Sequence, residues 1–243
     1  MHWYRGPEGD QRIWYDSDEI ERMAGDELRR GGLMSTVDDP VTDLEQFIEV
    51  HLKAELDQYA DLPEGVLGLT QFPLKGRPKV SISVDLTEGA DRDVPSPGSM
   101  GRWRATLAHE ASHIYLHRYL FDPEMIQLYG VGGTLGGAPP SDGLMRCLHR
   151  DIAPVASHDM SVTRRRGDWR EIQANRGMAA LLMPSRIFKR VGFQQMTQLG
   201  LNIVDTNPSA ADTLATAMAD AFAVSKQAAT IRLNTEGLLS KYS

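Results

Sequence analysis

Two histidines four residues apart with a glutamate between them, His109-Glu110-Ala111-Ser112-His113, carry the clearest chemistry in this chain. On an α-helix, positions i and i+4 share a face, so both imidazoles can reach one metal ion. Glu110 lies beside them, where its carboxylate could take a proton from a water at that metal. The chemistry suggested is metal-assisted hydrolysis. The pattern requires a helix, and its neighbours permit one. Trp103-Arg104-Ala105-Thr106-Leu107-Ala108 before it and Ile114-Tyr115-Leu116-His117 after it contain neither Gly nor Pro.

A catalytic zinc takes three protein ligands and keeps another position open. The third ligand must come from elsewhere, and Glu171 is the best candidate. It falls in the first turn of a second predicted helix, which carries Ala174, Met178, Leu181 and Leu182 on one face and is stopped by Pro184. Asp168-Trp169-Arg170-Glu171 also reads as a capping box, in which Glu171 would only partner Asp168. Spacing alone leaves both readings open.

Other residues of chemical interest are sparser. His117 lies one turn beyond His113 and could extend the metal face, or sit behind it or at the surface. Tyr115 could donate to an oxyanion, but two places past His113 it fits a packing role better. Cys147, His149 and His158 show no regular ligand spacing. A Cys147 thiolate as a fourth, inhibitory zinc ligand is nonetheless chemically reasonable. Arg164-Arg165-Arg166 reads as a solvated charge run that could also steer an acidic substrate.

The elements that must position these residues follow from periodicity and turn signals. Residues 1–40 read as an irregular extension with one helix, Asp18 to Arg30. Asp43 to Tyr59 shows apolar residues at helical spacing, ended by Leu62-Pro63-Glu64-Gly65. Two strands are predicted next, Val66 to Phe72 and Val80 to Leu86, joined through Lys75-Gly76-Arg77-Pro78. A strand such as Val80–Leu86 at a sheet edge could pair with an extended peptide. A loop from Glu88 to Gly98 leads to the motif helix, with Ser99 as its N-cap. Phe121 to Gly167, which includes the run from Gly130 to Pro140, is the least regular region. Near the end, Ala210–Phe222 and Lys226–Asn234 form two helices around the turn Ala223-Val224-Ser225. That is helix-turn-helix spacing. Lys226, Gln227 and Arg232 are a thin set for reading bases, which favours a structural or docking role for this tail.

Length and composition bound the rest. A chain of 243 residues makes one or two domains with a proper core. A single cysteine excludes an intramolecular disulfide framework and fits a reducing compartment. The first residues lack the apolar stretch of a secretory signal, and the run Met178–Met183 is far too short for a bilayer. A soluble cytoplasmic protein without membrane contact is expected. Residues 1–61 carry 16 acidic against 6 basic side chains, so tight nonspecific binding of nucleic acid by the whole chain is disfavoured.

The two motifs together resemble the ImmA/IrrE family of metallopeptidases. In that family a histidine-glutamate-x-x-histidine helix is followed by a helix of the form Glu-x-x-Ala-Asn that ends in Leu-Leu-Met-Pro. This chain reads Glu171, Ala174, Asn175 and Leu181-Leu182-Met183-Pro184 in register. The tail resembles the helix-turn-helix-like region of the same family, and the likeness runs from about residue 41 to the end. Family members often carry glycine before the second histidine and phenylalanine after the alanine-asparagine pair; Ser112 and Gly177 stand in those regions here.

The resemblance implies zinc on His109, His113 and Glu171, with Glu110 as general base. It implies an α+β fold: a zincin-like catalytic domain with a small antiparallel sheet on the metal-site helices, then a helix-turn-helix-like region. The corresponding divisions are an extension at 1–40, a metallopeptidase domain at 41–184 with an irregular insertion at 121–167, and a helical region at 185–243. The implied activity is that of a zinc-dependent endopeptidase cleaving a protein substrate, a cognate transcriptional repressor, to switch on stress-response or mobile-element genes. The alternative is a noncatalytic regulator that binds DNA or a protein partner through the tail and keeps its metal site structurally.

Overall fold

The computed structural model describes residues 2–5, 11–92, 98–121, 143–148, 169–201 and 208–239. The chain begins with an antiparallel hairpin of β1 (His2–Arg5) and β2 (Gln11–Trp14), in which His2 pairs with Trp14. Helix α1 (Ser17–Arg30) follows and buries Ile20, Ala24 and Leu28, spaced four apart on one face. The expected helix is therefore present, a hairpin precedes it, and residues 31–40 after it form no helix or strand. Ile13, Tyr15, Ile20 and Leu116 pack as a small cluster of their own.

The stretch Asp43–Tyr59 departs from the expected single helix. Helix α2 (Leu44–Gln46), capped by the Asp43 side chain, widens into a π turn at Phe47–His51. Lys53 then takes a left-handed backbone with φ 55°, and the chain leaves as strand β3 (Glu55–Ala60). The helical spacing that sequence shows through Leu56 ends at this turn, because a non-glycine residue at positive φ cannot continue a right-handed helix.

Strand β4 (Val66–Phe72) has the predicted limits and alternates Val66, Gly68, Thr70 and Phe72 on its buried face. Strand β5 (Lys79–Ser83) is shorter than predicted. From Val84 the chain is helix α3 (Val84–Ala90), whose buried Leu86, Thr87 and Ala90 follow helical spacing instead of strand alternation. With β6 (Gly143–Leu148), the sheet has the order β3-β5-β4-β6. The β5-β4-β6 part is antiparallel as expected, while β3 joins β5 in parallel. Because β5 lies between β3 and β4, both of its edges are already paired. The suggestion that the Val80–Leu86 strand captures a peptide along an open edge is therefore wrong.

Helix α4 (Ser99–His117) crosses the buried face of the sheet and carries the histidine motif. Its N-cap is Gly98, at φ 84°, and not Ser99, which is the first helical residue. Helix α5 (Trp169–Leu182) carries Glu171 and packs closely on α4 and α1. Gly177 makes that approach possible: a Cβ there would lie 2.5 Å from Tyr115 Oη and 2.6 Å from Ser112 Oγ. The two departures from the resembled family, Ser112 and Gly177, thus face each other across one helix crossing.

Three further helices follow: α6 (Ser185–Gln198), which sequence reading missed, α7 (Pro208–Phe222) and α8 (Lys226–Thr235). They share one buried cluster with the sheet and the motif helix, including Phe188, Phe222 and Leu233 alongside Leu107 and Ile114. The C-terminal carbonyls of α5, which no helical N–H can reach, are met from both sides. Thr42 donates to Leu181 O at 3.0 Å, and Arg232 donates to Met183 O through Nε at 3.1 Å and Nη2 at 2.8 Å. Arg232 also pairs with Glu21 at 2.5 Å and Glu236 at 3.1 Å. The helix that holds Glu171 is fixed at its far end by the segment before α2 and by α8. Among the described residues, no helix is long and apolar enough to cross a membrane.

Candidate metal centre

His109, His113 and His117 recur every fourth residue of α4 and form one stripe, fully buried between the sheet and α5. Glu171 enters from the first turn of α5 with its side chain 23% exposed, the one member of the group that solvent reaches. His109 Nε2 lies 3.0 Å from Glu171 Oε2 and 3.1 Å from His113 Nε2, and His113 Nε2 lies 3.5 Å from the same carboxylate oxygen. Three ligand-type atoms from residues 62 positions apart in sequence therefore converge on one point. The expected ligand residues are brought together, while Asp168, the capping partner that the sequence offers Glu171, lies outside the described residues.

The second nitrogen of each ring decides what the first can offer. Asn175, on the same face of α5 as Glu171, places its side-chain amide 3.3 Å from His109 Nδ1, which leaves Nε2 as the ring nitrogen that faces the centre. The Nδ1 of His113 faces His117 Nδ1 at 3.1 Å. Both ligand histidines thus have their Nδ1 engaged away from the centre and present Nε2 towards it. Two imidazole nitrogens and a carboxylate oxygen at these separations can share either a proton or a metal cation. In a tetrahedral site with bonds of about 2.0–2.1 Å, neighbouring donors lie about 3.3–3.4 Å apart, within a few tenths of an ångström of the separations here. The buried His-His-Glu group could hold a metal ion.

Burial and mutual contact set the electrostatics of these groups. Burial pushes the His113 imidazole below its ordinary value of 6.5, which keeps its lone pair free. Burial alone would raise Glu171, but the facing His109 and His113 outweigh it and hold the carboxyl well below the usual range. His117 is lowered further than His113, by burial and then by its histidine neighbour.

Glu110 projects from the motif helix onto β4. Its carboxylate accepts a hydrogen bond from the Thr70 hydroxyl, and it lies so close to Gly68 that a Cβ there would come within 2.6 Å of Oε1. Sequence reasoning missed both Gly68 and Thr70. A glycine inside an otherwise β-branched and apolar strand was the available signal, since it marks a close approach. Asn175 and Gln173 were also missed as site residues. Asn175 lies at i+4 from Glu171, the spacing that puts both on one helix face.

The remaining candidates separate cleanly. His117 is buried behind the ligands rather than at the surface, with Nε2 3.0 Å from Gln173 Oε1. Tyr115 packs over Gly177 and burial raises its phenol above the ordinary 10.0, in keeping with the packing role. The β4–β6 register sets Cys147 opposite Gly68. His149, His158 and Arg164-Arg165-Arg166 lie outside the described residues. On α8, Arg232 is turned inward and Lys226 is paired with Asp212 at 2.5 Å. No family model, curated protein or solved structure matches this chain.

Proposed function

We propose that the protein is a zinc-dependent endopeptidase of the ImmA/IrrE kind, with His109, His113 and Glu171 as ligands and Glu110 as general base. The single observation that carries the reading is the convergence of His109 Nε2, His113 Nε2 and Glu171 Oε2 within 3.0–3.5 Å, with each ring's Nδ1 engaged elsewhere. Three protein ligands leave a position open, which is the arrangement of a catalytic and not of a structural zinc. Bound there, zinc would lower the pKa of water towards about 7 and polarise a carbonyl.

The chain's own residues supply the proton handling. Glu110 accepts a proton at its carboxylate and passes it to the departing amine of the peptide bond. The Thr70 hydroxyl fixes one carboxylate oxygen, and the absence of a side chain at Gly68 leaves room for the other. Asn175 orients His109 and so keeps Nε2 on the centre. The substrate in this reading is a protein, a transcriptional repressor whose removal releases stress-response or mobile-element genes. The inward commitment of Arg232 favours a structural or docking role for α7 and α8 over DNA reading.

The test is incubation of the zinc-loaded protein with the repressor encoded beside its gene. Wild type is expected to cut it, whereas Glu110→Gln retains zinc but cuts at least a hundredfold more slowly. Cleavage by Glu110→Gln at the wild-type rate, or cleavage unaffected by a chelator, would overturn the reading.

A further inference from the structure

His117 is as deeply buried as the ligand histidines but is not one of them, and burying a ring with two polar nitrogens is unfavourable unless both are used. Both are used. Its Nδ1 meets His113 Nδ1 at 3.1 Å and its Nε2 meets Gln173 Oε1 at 3.0 Å. Gln173, fully buried in turn, donates from Nε2 to the carbonyl of Ile13 at 3.0 Å.

The direction of every hydrogen bond in this chain follows from its far end. A backbone carbonyl can only accept, so the amide nitrogen of Gln173 must face Ile13 and its oxygen must face His117. An amide oxygen can only accept, so His117 Nε2 must carry a proton. Neither polar partner of His117 is charged, and a buried ring in such surroundings is neutral, which leaves Nδ1 with a lone pair. That lone pair obliges His113 Nδ1 to be the donor. His113 Nε2 is then the unprotonated nitrogen, and it is the one facing His109 and Glu171.

We propose that His117 and Gln173 are positioning residues, a hydrogen-bonded chain anchored on the Ile13 carbonyl that fixes the tautomer and orientation of His113 for metal binding. The inference rests on the reading of His109, His113 and Glu171 as a metal site. It gives the N-terminal segment a role: β2, which supplies Ile13, is the end of the chain that sets the ligand. Sequence separation hides this arrangement, since Gln173 and Ile13 are 160 residues apart. The Trp169 ring, edge-on to His117 at 5.6 Å, closes its remaining side.

The test combines zinc affinity, by competition with a chromophoric chelator, and the nitrogen-15 spectrum of the imidazoles in the metal-free protein. In the wild type His113 should show a protonated Nδ1, and His117 a protonated Nε2. Gln173→Leu and His117→Phe are expected to bind zinc about 10–100-fold more weakly. His117→Gln, which can still present an amide oxygen to His113, should retain most of the affinity. Should His117→Phe fail to fold, Gln173→Leu and His117→Gln carry the comparison. Wild-type affinity in Gln173→Leu, or a His113 protonated on Nε2 in the wild type, would overturn the proposal while leaving the metal site standing. A wild type that binds no zinc would instead remove the metal site and the proposal together.

Discussion

Substituting alanine at Gly177 tests whether the crossing of α4 and α5 sets the metal geometry. An added Cβ would lie 2.5 Å from Tyr115 Oη, 2.6 Å from Ser112 Oγ and 2.8 Å from Ser112 Cβ, all closer than atoms in contact approach. Inside a helix, alanine gains about 1 kcal/mol over glycine. Overpacking of a tight contact costs about 1–3 kcal/mol. With three such contacts the clash dominates, and Gly177→Ala should destabilise the metal-free protein by about 1–2 kcal/mol. It should also weaken zinc binding, because α5 must shift and Glu171 shifts with it. Ser112→Gly removes two of the three obstructing atoms, at the expense of a hydroxyl that bonds Ala108 O at 2.7 Å. The double substitution should therefore recover stability beyond the sum of the single effects, with a coupling of about 1–3 kcal/mol. Urea unfolding of the four proteins measures that coupling, and helix propensity cancels from the cycle. A Gly177→Ala protein as stable as wild type, or strictly additive effects, would refute the reasoning.

Gly68→Ala should leave zinc affinity unchanged but displace the Glu110 carboxylate, so peptidase activity falls at least tenfold while metal content stays at the wild-type level. Arg232→Met removes the cation beside the part-buried Glu21 and the donor to the Met183 carbonyl, while Glu236 keeps Lys189 and Ser185, and should cost about 1–3 kcal/mol in urea unfolding. Acid should destabilise the metal-free protein in a defined direction. Burial lowers His117 and His113 below their ordinary 6.5, so below that value the unfolded chain takes up protons first and stability falls with pH. Glu171, lowered by its histidine neighbours despite its burial, adds a loss of the same sign below 4.5. Unfolding midpoints at about pH 7.5 and about pH 5.5 should differ accordingly, and by less in His117→Phe.

The parts of the fold that sequence reveals are those with strong local signals. The motif helix lacks breakers, β4 alternates between turn residues, and Pro184 and Gly237 punctuate the later helices. Asp43–Tyr59 misleads because an apolar spacing valid for α2 happens to persist into β3, past the turn at Lys53 that ends the helix. Helix α6 carries a helical signal in Ile187, Phe188 and Val191, which share one face, but the proline before it is equally a helix stop and a helix start. In the site, the ligands are legible because spacing and chemistry coincide. The residues that orient them are not, because the contacts of His117 with Gln173 and of Glu110 with Thr70 join positions 56 and 40 apart and depend on how the helices cross.

The central claim is that three convergent acceptor atoms form a metal site. Zinc content after equilibration with zinc and removal of excess metal, measured by elemental mass spectrometry for wild type and Glu171→Ala, tests it most directly. The geometry predicts about one zinc per wild-type chain and its loss, or an affinity weakened at least a hundredfold, in Glu171→Ala. A wild type that retains no zinc, or a Glu171→Ala protein that holds it equally tightly, would contradict the account.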